Sequence, residues 1–141
     1  MLLQIKVKSG SKYKNAIVQP NLGFYSTFLG ALHTHDTTGI IHYEAPDGSP
    51  NYPLIDFFRS AGISMDSNHI GRFLPPAGKK VTMWYTRGAS STLSTTGKWT
   101  TSGGSTVQTT KFGGFVPVGS PTTGAPGGPP LTGDVIEFRV G

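Results

Sequence analysis

Residues 88–128 place the strongest constraint on what this chain can become. Of those 41 residues, 29 are Gly, Ser, Thr or Pro, and Lys98 and Lys111 carry the only charges. Such a composition ordinarily gives a flexible linker, because it has few large side chains to bury against the entropy of ordering. Two islands of strand character interrupt it, residues 98–101 and 105–112, and Ser102-Gly103-Gly104 between them reads as a turn. An ordered stretch of this kind needs a surface to hold it. The expectation is one domain over 1–141, with 88–128 an extension inserted before the last strand and lying on neighbouring molecules. Trp99, Phe112, Phe115, Val116 and Val118 are its candidate partner-binding side chains. The alternative is that they tuck back onto their own domain.

The rest of the chain reads as a small folded unit. Its 141 residues suit one domain with a core of its own. Charged residues are only 13%, and there is no cysteine, which removes disulfides and thiolate chemistry. No apolar run approaches the roughly 18 residues of a membrane helix, and no basic-then-apolar leader opens the sequence. The net charge is +5, and Lys6, Lys8, Lys12 and Lys14 supply a third of the 12 positive charges, with only Tyr13 among them. A nucleic-acid surface would interleave stacking aromatics, so these lysines read as a solvated face or a guarded sheet edge.

Residues 3–8 alternate apolar and polar, with Leu3, Ile5 and Val7 on one side, as in a half-buried strand. A Ser-Gly-Ser turn follows, then a returning strand over 13–18. Leu54, Phe57, Phe58 and Ala61 recur at helical spacing between Pro53 and Gly62, predicting one short helix over 53–61. Residues 79–86 predict a central strand, and 134–140 a closing strand with Ile136, Phe138 and Val140 inward. The class is α+β, mainly β: a small mixed sheet with one short helix and β-grasp character, the alternative being a β-sandwich or barrel.

The block from Leu32 to Glu44 holds three of the four histidines. If Asp36–Gly39 is a hairpin loop, His35 pairs with Ile40, His33 with His42, and Ala31 with Glu44. Directly opposed residues share a face, as do residues two apart. His33, His35, His42 and Glu44 then converge, and a one-residue slip would split them. Three imidazoles and a carboxylate suit Zn, Cu or Ni. Asp36 is a further ligand or an orienting group. Three plainer readings stay open: a hydrogen-bonded polar patch, a subunit interface, or simple turn chemistry at Asp36. His69 stands apart in a loop and carries no functional reading.

The block Leu-His-Thr-His-Asp-Thr-Thr-Gly-Ile-Ile-His-Tyr-Glu resembles one shared by a family of uncharacterised, mostly exported bacterial and archaeal proteins. Its flanks are similar too: the first hairpin, the Phe-Phe helix, the strand at 81–86 and the closing strand stand in the family's order. The resemblance covers about residues 2–88 and 131–141 and implies a metal site, with no activity attached. Two departures stand out. Those relatives usually carry an added His-x-His before the first hairpin, and they join the last two strands by a short loop.

These features lead to a non-enzymatic structural subunit of a repeating assembly, such as a capsid-decorating virion protein or a surface-layer or fibre component. Its partners would be copies of itself or a major assembly protein, its place the virion or an extracellular surface, with neither nucleic acid nor a membrane span involved. The alternatives are a metal-binding module, or a metal-dependent hydrolase or oxidase with Glu44 or Asp36 as its base. No His-Glu-x-x-His, Gly-x-Ser-x-Gly or phosphate-loop pattern is present.

Overall fold

The computed structural model describes residues 1–23, 31–44, 52–117 and 130–141. Period-2 alternation builds the first strand, β1 (Leu2–Ser9), which turns back into β2 (Lys12–Ala16). Two short strands, β3 (Leu32–His33) and β4 (His42–Tyr43), form a separate pair. Helix α1 (Leu54–Ser60) follows, then the small hairpin β5 (Met65–Asp66) and β6 (His69–Ile70). The long strand β7 (Val81–Leu93), then β8 (Trp99–Ser102), β9 (Ser105–Thr109) and β10 (Leu131–Val140) complete the chain.

The main sheet runs β2-β1-β10-β7-β8, with β9 also on β7. β1 and β10 pair in parallel, and every other pairing in it is antiparallel. This is the mixed, mainly β arrangement that the sequence predicts, a curled sheet with α1 packed against it. Leu54, Phe57 and Phe58 of α1 are buried, packed with Leu3, Ile5, Met83, Ile136 and Phe138 in the main core. Phe58 and Phe138 meet edge to face, 5.7 Å between centroids.

Helix α1 is slightly shorter than predicted. Pro53 lies in extended backbone (φ −61°, ψ 143°) and serves as the N-cap, so helical turns start at Leu54. The helix stops at a Schellman closure, in which Ile63 N donates to Phe58 O (2.8 Å) and Gly62 N to Arg59 O (3.0 Å).

The larger correction concerns 88–128. Its described part does not leave the domain. Strand β7 continues past Thr86 to Leu93, reverses through residues 94–98, and β8 and β9 return along the same edge. β8 pairs Leu93↔Trp99 to Ser90↔Ser102; β9 continues with Arg87↔Ser105 to Met83↔Thr109. Ser102-Gly103-Gly104 is therefore a kink within one returning edge, where a reversal was expected. Gly104 has φ +79°, and a Cβ there would sit 2.5 Å from Arg87 O, so a residue with a side chain does not fit.

Phe112 is also a correction: it is 5% exposed and packs on Phe138 in the main core, 5.2 Å between centroids. Phe115 packs on Tyr85 at 4.6 Å, and Leu54 N donates to its carbonyl (2.8 Å). Val116 is half-buried, and its carbonyl accepts from Arg87 (3.3 Å). Val118 lies outside the described residues. The physical reason is that Thr and Val satisfy a pleated edge as well as they fill a linker, and β7 had an open edge to pair. The chain thus uses this composition for its own sheet.

Phe112→Ala should lower the unfolding free energy by about 3–5 kcal/mol in urea titration, the cost of emptying an aromatic core position. A side chain that waited for a neighbouring molecule would leave the isolated chain's stability unchanged.

Candidate metal centre

The register of the histidine pair is the one expected. Leu32 opposes Tyr43 and His33 opposes His42. Glu44 N donates to Ala31 O (2.8 Å), which carries the ladder one residue further. Beyond His33 the ladder opens. Ile40 does not pair with His35; it bridges Leu2 of β1. Leu3 N donates to Gly39 O (2.7 Å) and Ile41 N to Met1 O (2.9 Å). Gly39 has φ +85°, and a Cβ on it would come within 2.3 Å of Leu3 O. A glycine is therefore required where the loop lies against β1.

His35 still reaches the same side as His33, because the two are two positions apart in the chain. Its Nε2 lies 3.2 Å from His33 Nε2. The ring centroids of His35 and His42 are 4.4 Å apart, and those of His33 and His42, nearly parallel, 5.6 Å. One ligand atom from each of His33, His35, His42 and Glu44 lies within 4.8 Å of all the others. Two nitrogens bound tetrahedrally to one zinc at about 2.0–2.1 Å stand roughly 3.3–3.4 Å apart. The His33–His35 separation is already close to that edge.

The four donors differ in exposure. His33 is fully buried, His42 is half-buried, and His35 and Glu44 are exposed. The group thus has a dry wall and a wet mouth. Burial lowers the His42 pKa from its ordinary 6.5, and the fields of His35 and His33 lower it further, while Glu44 opposes them. A lowered pKa keeps this imidazole in its neutral, ligating form.

Asp36 does not join the four. Its Oδ1 accepts from Thr38 N (2.8 Å) and from the Thr38 hydroxyl, so the carboxylate closes the turn. Trp99, expected to meet a partner, instead braces this loop: its Nε1 donates to Thr38 O (2.8 Å) across 61 residues of sequence. His69 contacts Asp66 Oδ1 through Nδ1 and Ser64 Oγ through Nε2, both at 3.0 Å, and is a structural part of the β5–β6 hairpin.

One positioning residue escaped the sequence reading. Thr34 is fully buried, and its hydroxyl donates to Gln19 O (2.9 Å) while accepting from Leu22 N (3.1 Å). Asn21 N donates to Thr34 O, and Thr34 N to Leu22 O. These bonds fix the backbone between His33 and His35. The signal was present in the alternation: a residue between two histidines that share one face must point to the other.

No known family model matches the chain, and neither a curated protein nor a solved structure matches it.

The lowered His42 pKa makes the metal-free stability pH-dependent. Below 6.5 the unfolded chain takes up the His42 proton before the folded chain does, so stability rises with pH in that window and falls on acidification. Urea midpoints measured in chelator from neutral down to about pH 5 should show the fall, and His42→Gln should reduce it, leaving the part due to the Met1 ammonium, whose pKa burial lowers to about 6.

Proposed function

We propose that this chain is a metal-binding module that holds one divalent Zn, Cu or Ni ion on His33, His35, His42 and Glu44. The observation that carries the reading is the mutual approach of four donor atoms, each within 4.8 Å of the rest. Three imidazoles and one carboxylate fill a tetrahedral shell, the arrangement of a holding site; a catalytic site keeps one position for water. The hydrolase reading would need Glu44 free as a base, and Asp36, the other candidate, spends its carboxylate on Thr38. The module is accordingly non-enzymatic.

Calorimetry on the metal-stripped chain should show one ion bound per chain, with His33→Ala abolishing binding and Asp36→Asn retaining it. Excess metal at 100 times its Kd should stabilise the fold by about 2.7 kcal/mol. Full affinity in a chain lacking all three imidazoles would sink the reading.

A second reading, association of copies into an assembly, is favoured by the contrast between the sheet's two edges. β2 presents Lys12 and Lys14, which guard an edge against pairing. The β8–β9 edge carries no charge from Trp99 to Thr109, and no described strand pairs with its outer side. Light scattering should then give a mass above that of one chain, restored to the monomer by Val107→Lys. A monomer at every concentration would remove this reading and leave the metal module standing.

A further inference from the structure

The two sheet faces use different aromatics. Phe57, Phe58, Phe112 and Phe138 fill the helix side. Both tryptophans of the chain lie on the other side, where they line a cavity of about 370 Å³. β10 alternates Ile136 and Phe138 into the core with Val135, Glu137 and Arg139 onto this second face. Register then places Trp84 and Gln4 beside Glu137, and Thr86 beside Val135.

Three features define what the cavity takes. First, its charged groups are paired with one another: Glu137, with a side chain only 14% exposed, holds both Lys6 and Arg139. A phosphate or sulfate would have to compete with that carboxylate for the two cations. Second, Gln4, Thr86, Thr101 and Thr106 add neutral donors and acceptors, which disfavours an apolar ligand. Third, indole surface remains among these polar groups. Trp84 carries the Arg139 guanidinium 4.3 Å from its ring centre, and its buried Nε1 has no acceptor among the described residues. A neutral, many-hydroxyl ligand with apolar ring faces meets all three conditions. The volume lies toward the small end of the usual 300–1,000 Å³ range for ligand sites, which suits one or two sugar rings.

We infer that this face is a binding site for a neutral saccharide, recognised by Trp84 and Trp99 together with the Glu137 ion-pair triad and its neighbouring hydroxyl and amide groups. The site is separate from the histidine cluster and does not depend on a metal.

The test follows the two indole N–H resonances by NMR in chelator. The full chain is titrated with cellotetraose, maltotetraose, chitotetraose and mannotetraose, and with polygalacturonate and heparin fragments as charged probes. At least one neutral oligosaccharide should shift both indoles with salt-insensitive affinity. The double variant Gln4→Ala/Thr106→Val, which leaves both cores intact, should bind it about tenfold more weakly, the loss of one or two hydrogen bonds. Three results would each overturn the inference: no neutral probe bound, binding confined to the charged probes and lost with salt, or unchanged affinity in the folded double variant.

Discussion

The first residues of β1 need a partner that β2 does not supply. β2 pairs β1 only from Ile5 to Ser9, which leaves Leu2 and Leu3 with an open edge. Residues 39–41 fill that edge through the Leu3–Gly39 and Ile41–Met1 hydrogen bonds and the Leu2–Ile40 bridge. An unpaired backbone group at this depth would cost about as much as a lost hydrogen bond, so the loop has little freedom to sit elsewhere. This contact is what stops the histidine hairpin from zipping further. It draws Ile40 away from His35, and His35 is left to lean over His33 and His42.

The same contact joins two cores. Leu3 and Ile41 belong to the main core, whereas their neighbours Leu2 and Ile40 join Leu131 in a second cluster on the other face of the sheet. Trp99 packs against that second cluster and holds Thr38 O. The segment carrying His35 is thus pinned on one side by Thr34 and on the other by Thr38. Thr34 is held through its backbone and its hydroxyl, and Thr38 through its carbonyl on the half-buried Trp99 indole, which is the support a preformed ligand set requires.

The legible parts of the sequence were those governed by one period. The alternation of β1, the helical stripe of α1 and the closing strand follow from local spacing. So does the His33–His42 register, because slipping it would turn Leu32 out of the core. The illegible parts depend on long-range pairing. Nothing local says that Ile40 prefers Leu2 to His35. Asp36 has the chemistry of a ligand and of a turn alike, and only the position of the Thr38 amide decides between them. The stretch after Thr86 misled most, since its Thr and Ser residues serve a linker and a solvated strand equally well.

Its glycines carry the missing information in combination. At the centre of the sheet β10 advances two residues, from Gly133 to Val135, while β7 advances three, from Ala89 to Thr86. That extra residue is a bulge, which bends and twists the strand. Gly103 and Gly104 lie across from it on the β8–β9 edge, both with positive φ. The irregularity therefore runs through three neighbouring strands, and it resets which side chains face which way. Thr101 and Thr106, an odd number of residues apart, line the same cavity with Trp99 and Trp84. Without the reset, a regular strand would turn one threonine of that pair to the opposite face. What looks compositionally like a linker is the sheet edge that brings Trp99 over toward the histidine loop. The histidine cluster and the tryptophan-lined face then share one brace, Trp99 on Thr38.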